Sequence, residues 1–148
     1  ASQEDISRAA AFDFLIGSMD RHYNNWMVSQ DGRLVLIDNG ASFPSKYSLG
    51  HKEIMRHAAN FTMLIPKEVQ SWRWDEVDKV IRAGGVNDKE AIRLTKDRFL
   101  YLQSSAKAGE DFGVLRDKFI AQDPSKGGRF FMWYNSRDEV GTLVPKPK

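Results

Sequence analysis

The chain has no cysteine. That excludes disulfides, thiolate nucleophiles and cysteine zinc sites together. It is compatible with a reducing compartment such as the cytoplasm, or with a place inside a large assembly. No apolar run approaches the length needed to cross a bilayer, so no transmembrane segment is expected. No charged-then-apolar signal segment opens the chain. An excess of one charge is also missing: 22 Lys and Arg stand against 20 Asp and Glu, a net charge of +2. Such a balance disfavours a nucleic-acid partner, and the basic residues Arg129, Arg137, Lys146 and Lys148 read as a solvated tail, with a nucleic-acid or anionic-surface footprint as the alternative. There is no internal repeat. A starting Met is absent too, with Ala1 in its place, so the sequence reads as a cleaved product or as part of something longer.

What is present is ordinary. The 148 residues are 41% apolar and 28% charged, which suits one domain with a real hydrophobic core. The spacing predicts a helix over residues 4–19. Ser2 and Asp5 have capping-box spacing at its start. Ile6, Ala9, Ala10, Phe12, Phe14, Leu15, Ile16 and Met19 cover most of its circumference, the mark of a buried helix. Two short apolar runs follow, Trp26 to Val28 and Leu34 to Ile37, separated by Gln30-Asp31-Gly32-Arg33. Asp-Gly between such runs predicts a β-hairpin over roughly residues 25–38.

Helices are expected at about 51–64 and 66–72, with Pro66 as a first helical residue. The next carries a stripe of Trp74, Val77, Val80 and Ile81, and Gly84-Gly85 ends it. A longer one opens at an Asn87/Glu90 capping box and runs to about 105, with Ile92, Phe99 and Leu102 inward. A final helix spans 110–121. Residues 1–122 therefore form the domain, and 123–148 a basic tail with the aromatic run Phe130 to Tyr134, which reads as core or as a partner-binding segment.

The chemistry concentrates between Phe12 and Pro44. Asp20 and Asp38 sit at the two ends of the expected hairpin, with Asn25 beside them. A hairpin brings its ends together. Two neighbouring carboxylates repel unless a proton or cation intervenes, and desolvation adds to the cost. Magnesium relieves both, binding a few carboxylate or amide oxygens together with phosphate oxygens. This set suits phosphoryl transfer, in which one Asp orients the hydroxyl while an Asp and an Asn hold metal.

Taken together, Phe12-Asp13-Phe14-Leu15-Ile16, Asp20-Arg21, Asn25-Trp26, Asp38-Asn39-Gly40 and Phe43-Pro44 resemble the type II phosphatidylinositol 4-kinases and their bacterial phosphatidylinositol 3/4-kinase-like relatives. A weaker similarity links the Asp-Arg-His and Asp-Asn-Gly strings to secretory-pathway kinases, whose extracellular domains are disulfide-rich. The resemblance is close over about 35 residues. It implies an α+β, mainly helical C-terminal lobe of the protein-kinase-like fold with a short catalytic β-hairpin. It implies Asp20 as the catalytic-loop Asp, with Arg21 beside it. Asn25 and Asp38 become the metal ligands, and His22 and Asn39 the cofactor-side candidates. Mg and ATP are the implied cofactors; the resemblance favours an inositol lipid as substrate, with a protein or a small molecule as the alternatives.

A kinase also needs an N-terminal lobe, with a loop over the phosphates and a strand Lys paired to a helix Glu. Only 19 residues precede Asp20, without Gly-x-Gly or a strand Lys. The expectation is that the N-lobe is absent from this chain and comes from a missing segment or a partner chain. The other expectation is a non-catalytic structural or interaction module, such as a processed piece of a virion. Asp111-Phe112-Gly113 spells the metal motif of protein kinases but lies in helical sequence without a preceding apolar strand, and reads as coincidence. His51 and His57 are six apart, which does not place them on one helical face as a metal pair. Trp72 and Trp74 read as packing anchors.

Overall fold

The computed structural model describes residues 2–17, 20–21, 26–28, 30, 34–36 and 51–122. The expected tail at 123–148, with its aromatic run, lies outside the described residues.

Helix α1 spans Gln3–Ile16. The Ser2 hydroxyl accepts the Asp5 amide at 3.1 Å, so the expected cap at its start is present. The helix ends three residues earlier than the apolar pattern suggests. Gly17 takes a left-handed conformation (φ 62°, ψ 36°), and its N–H turns back to the Asp13 and Phe14 carbonyls. Glycine meets no Cβ clash there and so stops the helix cheaply.

Two short strand pairs follow. Strand β1 (Asp20–Arg21) runs parallel to β4 (His51–Lys52), and β2 (Trp26–Val28) runs antiparallel to β3 (Leu34–Leu36). His51 and Lys52 therefore precede the next helix, which was expected to begin at 51. That helix, α2, spans Glu53–Asn60. It closes by wrapping Met63 N–H onto the Ala58 carbonyl at 2.9 Å, with Thr62 in the left-handed region (φ 49°). The turn is what ends α2 before residue 64.

A 3₁₀ helix covers Lys67–Ser71. Pro66 stands just before it with extended ψ of 135°, not as its first residue. Helix α3 is Trp74–Ala83, α4 is Lys89–Lys107 and α5 is Phe112–Gln122. On α3 the expected stripe is broken: Ile81 is buried, but Val80 is 71% exposed. The capping box expected at Asn87 does not form. Asp88 holds the N-cap position of α4 without a side-chain cap bond, Asn87 bonds the Gly85 carbonyl, and Glu90 pairs with Arg93 at 2.9 Å. That ion pair, backed by a hydrogen bond, lowers the Glu90 carboxyl below its ordinary range.

The core lies where α1, α2, α4 and α5 meet. Phe14, Leu102, Phe112, Leu115 and Phe119 have no exposure at all. Ala9, Ala10 and Ala11 of α1 and Ala58 and Ala59 of α2 join the same buried cluster, and their small side chains let the helices lie close. Ile92, Phe99 and Leu102 face inward as expected. Trp74 packs on Phe99 with ring centroids 5.6 Å apart, and Trp72 packs against the same cluster, so both act as anchors.

The Asp111-Phe112-Gly113 string has a purely structural account. Asp111 accepts the Val114 amide at 2.9 Å and starts α5, while Phe112 fills the core. At Gly113 an added Cβ would lie 3.1 Å from the Ala59 carbonyl of α2 and 3.1 Å from the Asp111 carboxylate. Gly113→Val should therefore force α5 off α2 and destabilise the fold by about 1–3 kcal/mol. Thermal or urea unfolding measures this; an unchanged midpoint would contradict the close contact.

Candidate functional site

The site is built on the segment that leaves α1. Gly17 turns the chain, and three residues later β1 begins at Asp20. Its pairing is specific: Asp20 stands opposite His51 and Arg21 opposite Lys52. Backbone bonds thus join the segment bearing the catalytic-loop candidates to the strand that leads into α2. In the second pair the register sets Trp26 against Leu36, Met27 against Val35 and Val28 against Leu34. The backbones of Asp20 and Arg21 are thereby placed. His22, Asn25, Asp38 and Asn39 lie outside the described residues.

Behind this segment the support is well defined. Arg98 of α4 has no solvent exposure. Its Nε donates to the Leu15 carbonyl at 3.0 Å, and its Nη2 donates to Thr95 Oγ1 at 3.1 Å. Thr95 donates in turn to the Ala91 carbonyl at 2.7 Å. Asp13 is likewise wholly buried on α1. Sequence reasoning missed Arg98. The available signal was its place in a helix whose inward positions are Ile92, Thr95, Phe99 and Leu102: position 98 lies three residues after 95, on the same face.

Among the described residues, no group of three or more His, Asp or Glu side chains could hold a metal ion. Two surface grooves are also lined by described residues. One, of about 680 Å³, runs past Ser7 and Arg8 of α1 and Lys67 and Glu68, where Arg8 pairs with Glu68 at 2.6 Å. The other, of about 510 Å³, is apolar and lies between Phe12, Leu15 and Ile16 of α1 and Val77, Val80 and Ile81 of α3. His57 stacks on Phe61 with ring centroids 4.7 Å apart, which gives it a packing role.

Residues 3–74, just under half of the chain, match the family model for phosphatidylinositol 3- and 4-kinases. The match spans α1, β1, the β2–β3 pair, α2 and the 3₁₀ helix, and it includes Asp20, Asn25 and Asp38. This stretch is phosphatidylinositol 3- and 4-kinase-like. No curated protein and no solved structure matches the chain. The likeness thus rests on the family-model match, and the mostly helical architecture of the described residues is compatible with a kinase C-lobe. Helices α4 and α5 lie beyond the match. They nonetheless supply Phe99, Leu102, Phe112, Leu115 and Phe119 to the core that kinase-like α1 and α2 share, and Arg98 as well.

Proposed function

We propose that this chain carries the hydroxyl- and metal-handling half of an ATP- and magnesium-dependent phosphotransferase. The observation that carries the reading is the kinase-family match over residues 3–74, which contains Asp20, Asn25 and Asp38 in order. Asp20 orients and deprotonates the substrate hydroxyl. Asn25 and Asp38 would hold magnesium, which would neutralise charge on the phosphates of ATP. Arg21 is next to the catalytic Asp in the chain, and His22 and Asn39 are the nucleotide-side candidates. An inositol lipid is the favoured acceptor, because the matched family phosphorylates such lipids. The lobe that grips the nucleotide comes from residues outside this sequence or from a partner chain.

Two features support the reading. The β2–β3 pairing sets side by side the chain segments that follow Asn25 and precede Asp38. The β1–β4 pairing anchors the backbone of Asp20 to a second strand.

Manganese, a paramagnetic substitute for magnesium, tests the reading directly. Titration followed by electron paramagnetic resonance, with and without ATP, should show one bound ion per chain. Asp38→Ala should lose it while keeping the helical circular dichroism of the wild type. A wild-type protein that binds no manganese under either condition would remove the reading.

A further inference from the structure

Arg98 lies within α4 and is completely buried. A guanidinium stays charged at any ordinary pH, and an apolar side chain of similar volume usually joins two helices at lower cost. Packing alone does not account for an arginine here. Its bonds do. The Leu15 carbonyl it holds lies in the last turn of α1, where carbonyls lack partners within the helix and carry the negative end of the helix dipole. Helix α1 has no basic residue of its own in that turn. Arg98 supplies the missing cation from 83 residues downstream. Thr95 fixes the guanidinium plane from the other side and is itself tethered to the Ala91 carbonyl. Two residues after Leu15, the chain turns at Gly17 and runs into β1.

We propose that Arg98 is a positioning residue. It locks the exit of α1, and so fixes where the chain delivers Asp20 beside His51. The structural half stands on the bonds to Leu15 and Thr95. The functional half, that this placement serves metal-dependent phosphoryl transfer, rests on the reading given above.

Amide hydrogen exchange and phosphate transfer, measured on the same variants, decide both halves. Arg98→Met keeps the volume and removes the charge. It should speed exchange at Gly17, Asp20 and Arg21 by about tenfold or more, with the amides of α5 unchanged. Phosphate transfer from ATP, by the protein together with its nucleotide-gripping partner, should fall by about ten- to a hundredfold, the scale for a misplaced catalytic group, with manganese affinity unchanged because Asn25 and Asp38 are untouched. Arg98→Lys, which can still reach one acceptor, should recover part of each. Equal acceleration across α1, α4 and α5 would make Arg98 a general stabiliser and overturn the proposal, as would no acceleration at all. Selective acceleration with unchanged phosphate transfer would overturn the functional half. A wild type that binds no manganese, with selective acceleration intact, would instead sink the phosphotransferase reading and leave the locking of α1 in place. Should Arg98→Met fail to fold, Thr95→Val decides by the same exchange pattern, since it removes the hydroxyl at nearly constant shape.

Discussion

Asp20→Ala is expected to lower phosphate transfer from ATP by about 10²–10⁴-fold, the contribution of a positioned general base. The change should be nearly silent in the fold. Strand pairing between β1 and β4 runs through backbone groups, and alanine keeps them. The variant should melt with the wild type and still bind manganese, because Asn25 and Asp38 are untouched. Transfer of radiolabel into phosphatidylinositol vesicles, by the protein together with its nucleotide-gripping partner, reads the effect. Asp20→Asn should be nearly as impaired, since an amide accepts no proton at neutral pH. A wild-type rate in both variants would take Asp20 out of the chemistry, whatever the metal does.

The second large effect belongs to the core. Phe119 is fully buried on α5. Its ring meets Phe14 edge-on at 5.4 Å and 79°, and Tyr101 edge-on at 5.2 Å and 83°. Phe119→Ala leaves a cavity between three helices and breaks both aromatic contacts, so it should cost about 3–5 kcal/mol. Domains of this size are stable by about 5–15 kcal/mol, so a fall in melting temperature of roughly 10 °C or more is expected. Phe119→Leu should cost less than half as much, because most of the volume remains. Urea unfolding of both variants checks the ranking. A loss below about 1 kcal/mol for the alanine variant would mean that the neighbouring side chains close the gap.

Several elements were legible because their signals are local. The Ser2 cap, the inward face of α4 at Ile92, Phe99 and Leu102, and the glycine stop after Ala83 each depend on residues within a few positions of one another. The misses arose where distant parts of the chain intervene. Apolar periodicity carried α1 on to Met19, whereas Gly17 turns left-handed and Arg98, far along the chain, holds the last turn. His51 looked helical and pairs as a strand with Asp20. Val80 fits the stripe by spacing, but nothing covers that side of α3 well enough to bury it. Within the candidate site, motif spacing named Asp20, Asn25 and Asp38, and the family match covers all three. Arg98, which holds the Leu15 carbonyl at the exit of α1, was harder to read, since a basic residue in a helix ordinarily reads as solvent-facing.

The pairing of Phe14 with Phe119 has a consequence for how this protein can be divided. The kinase-like signature stops at residue 74, yet the ring that completes the surroundings of Phe14 comes from α5. Inheritance and folding therefore draw different borders on the same polypeptide. A fragment cut to the signature would expose the apolar side of α1 and aggregate, whereas any transplant of this module into another protein must carry the sequence through Gln122 to remain soluble.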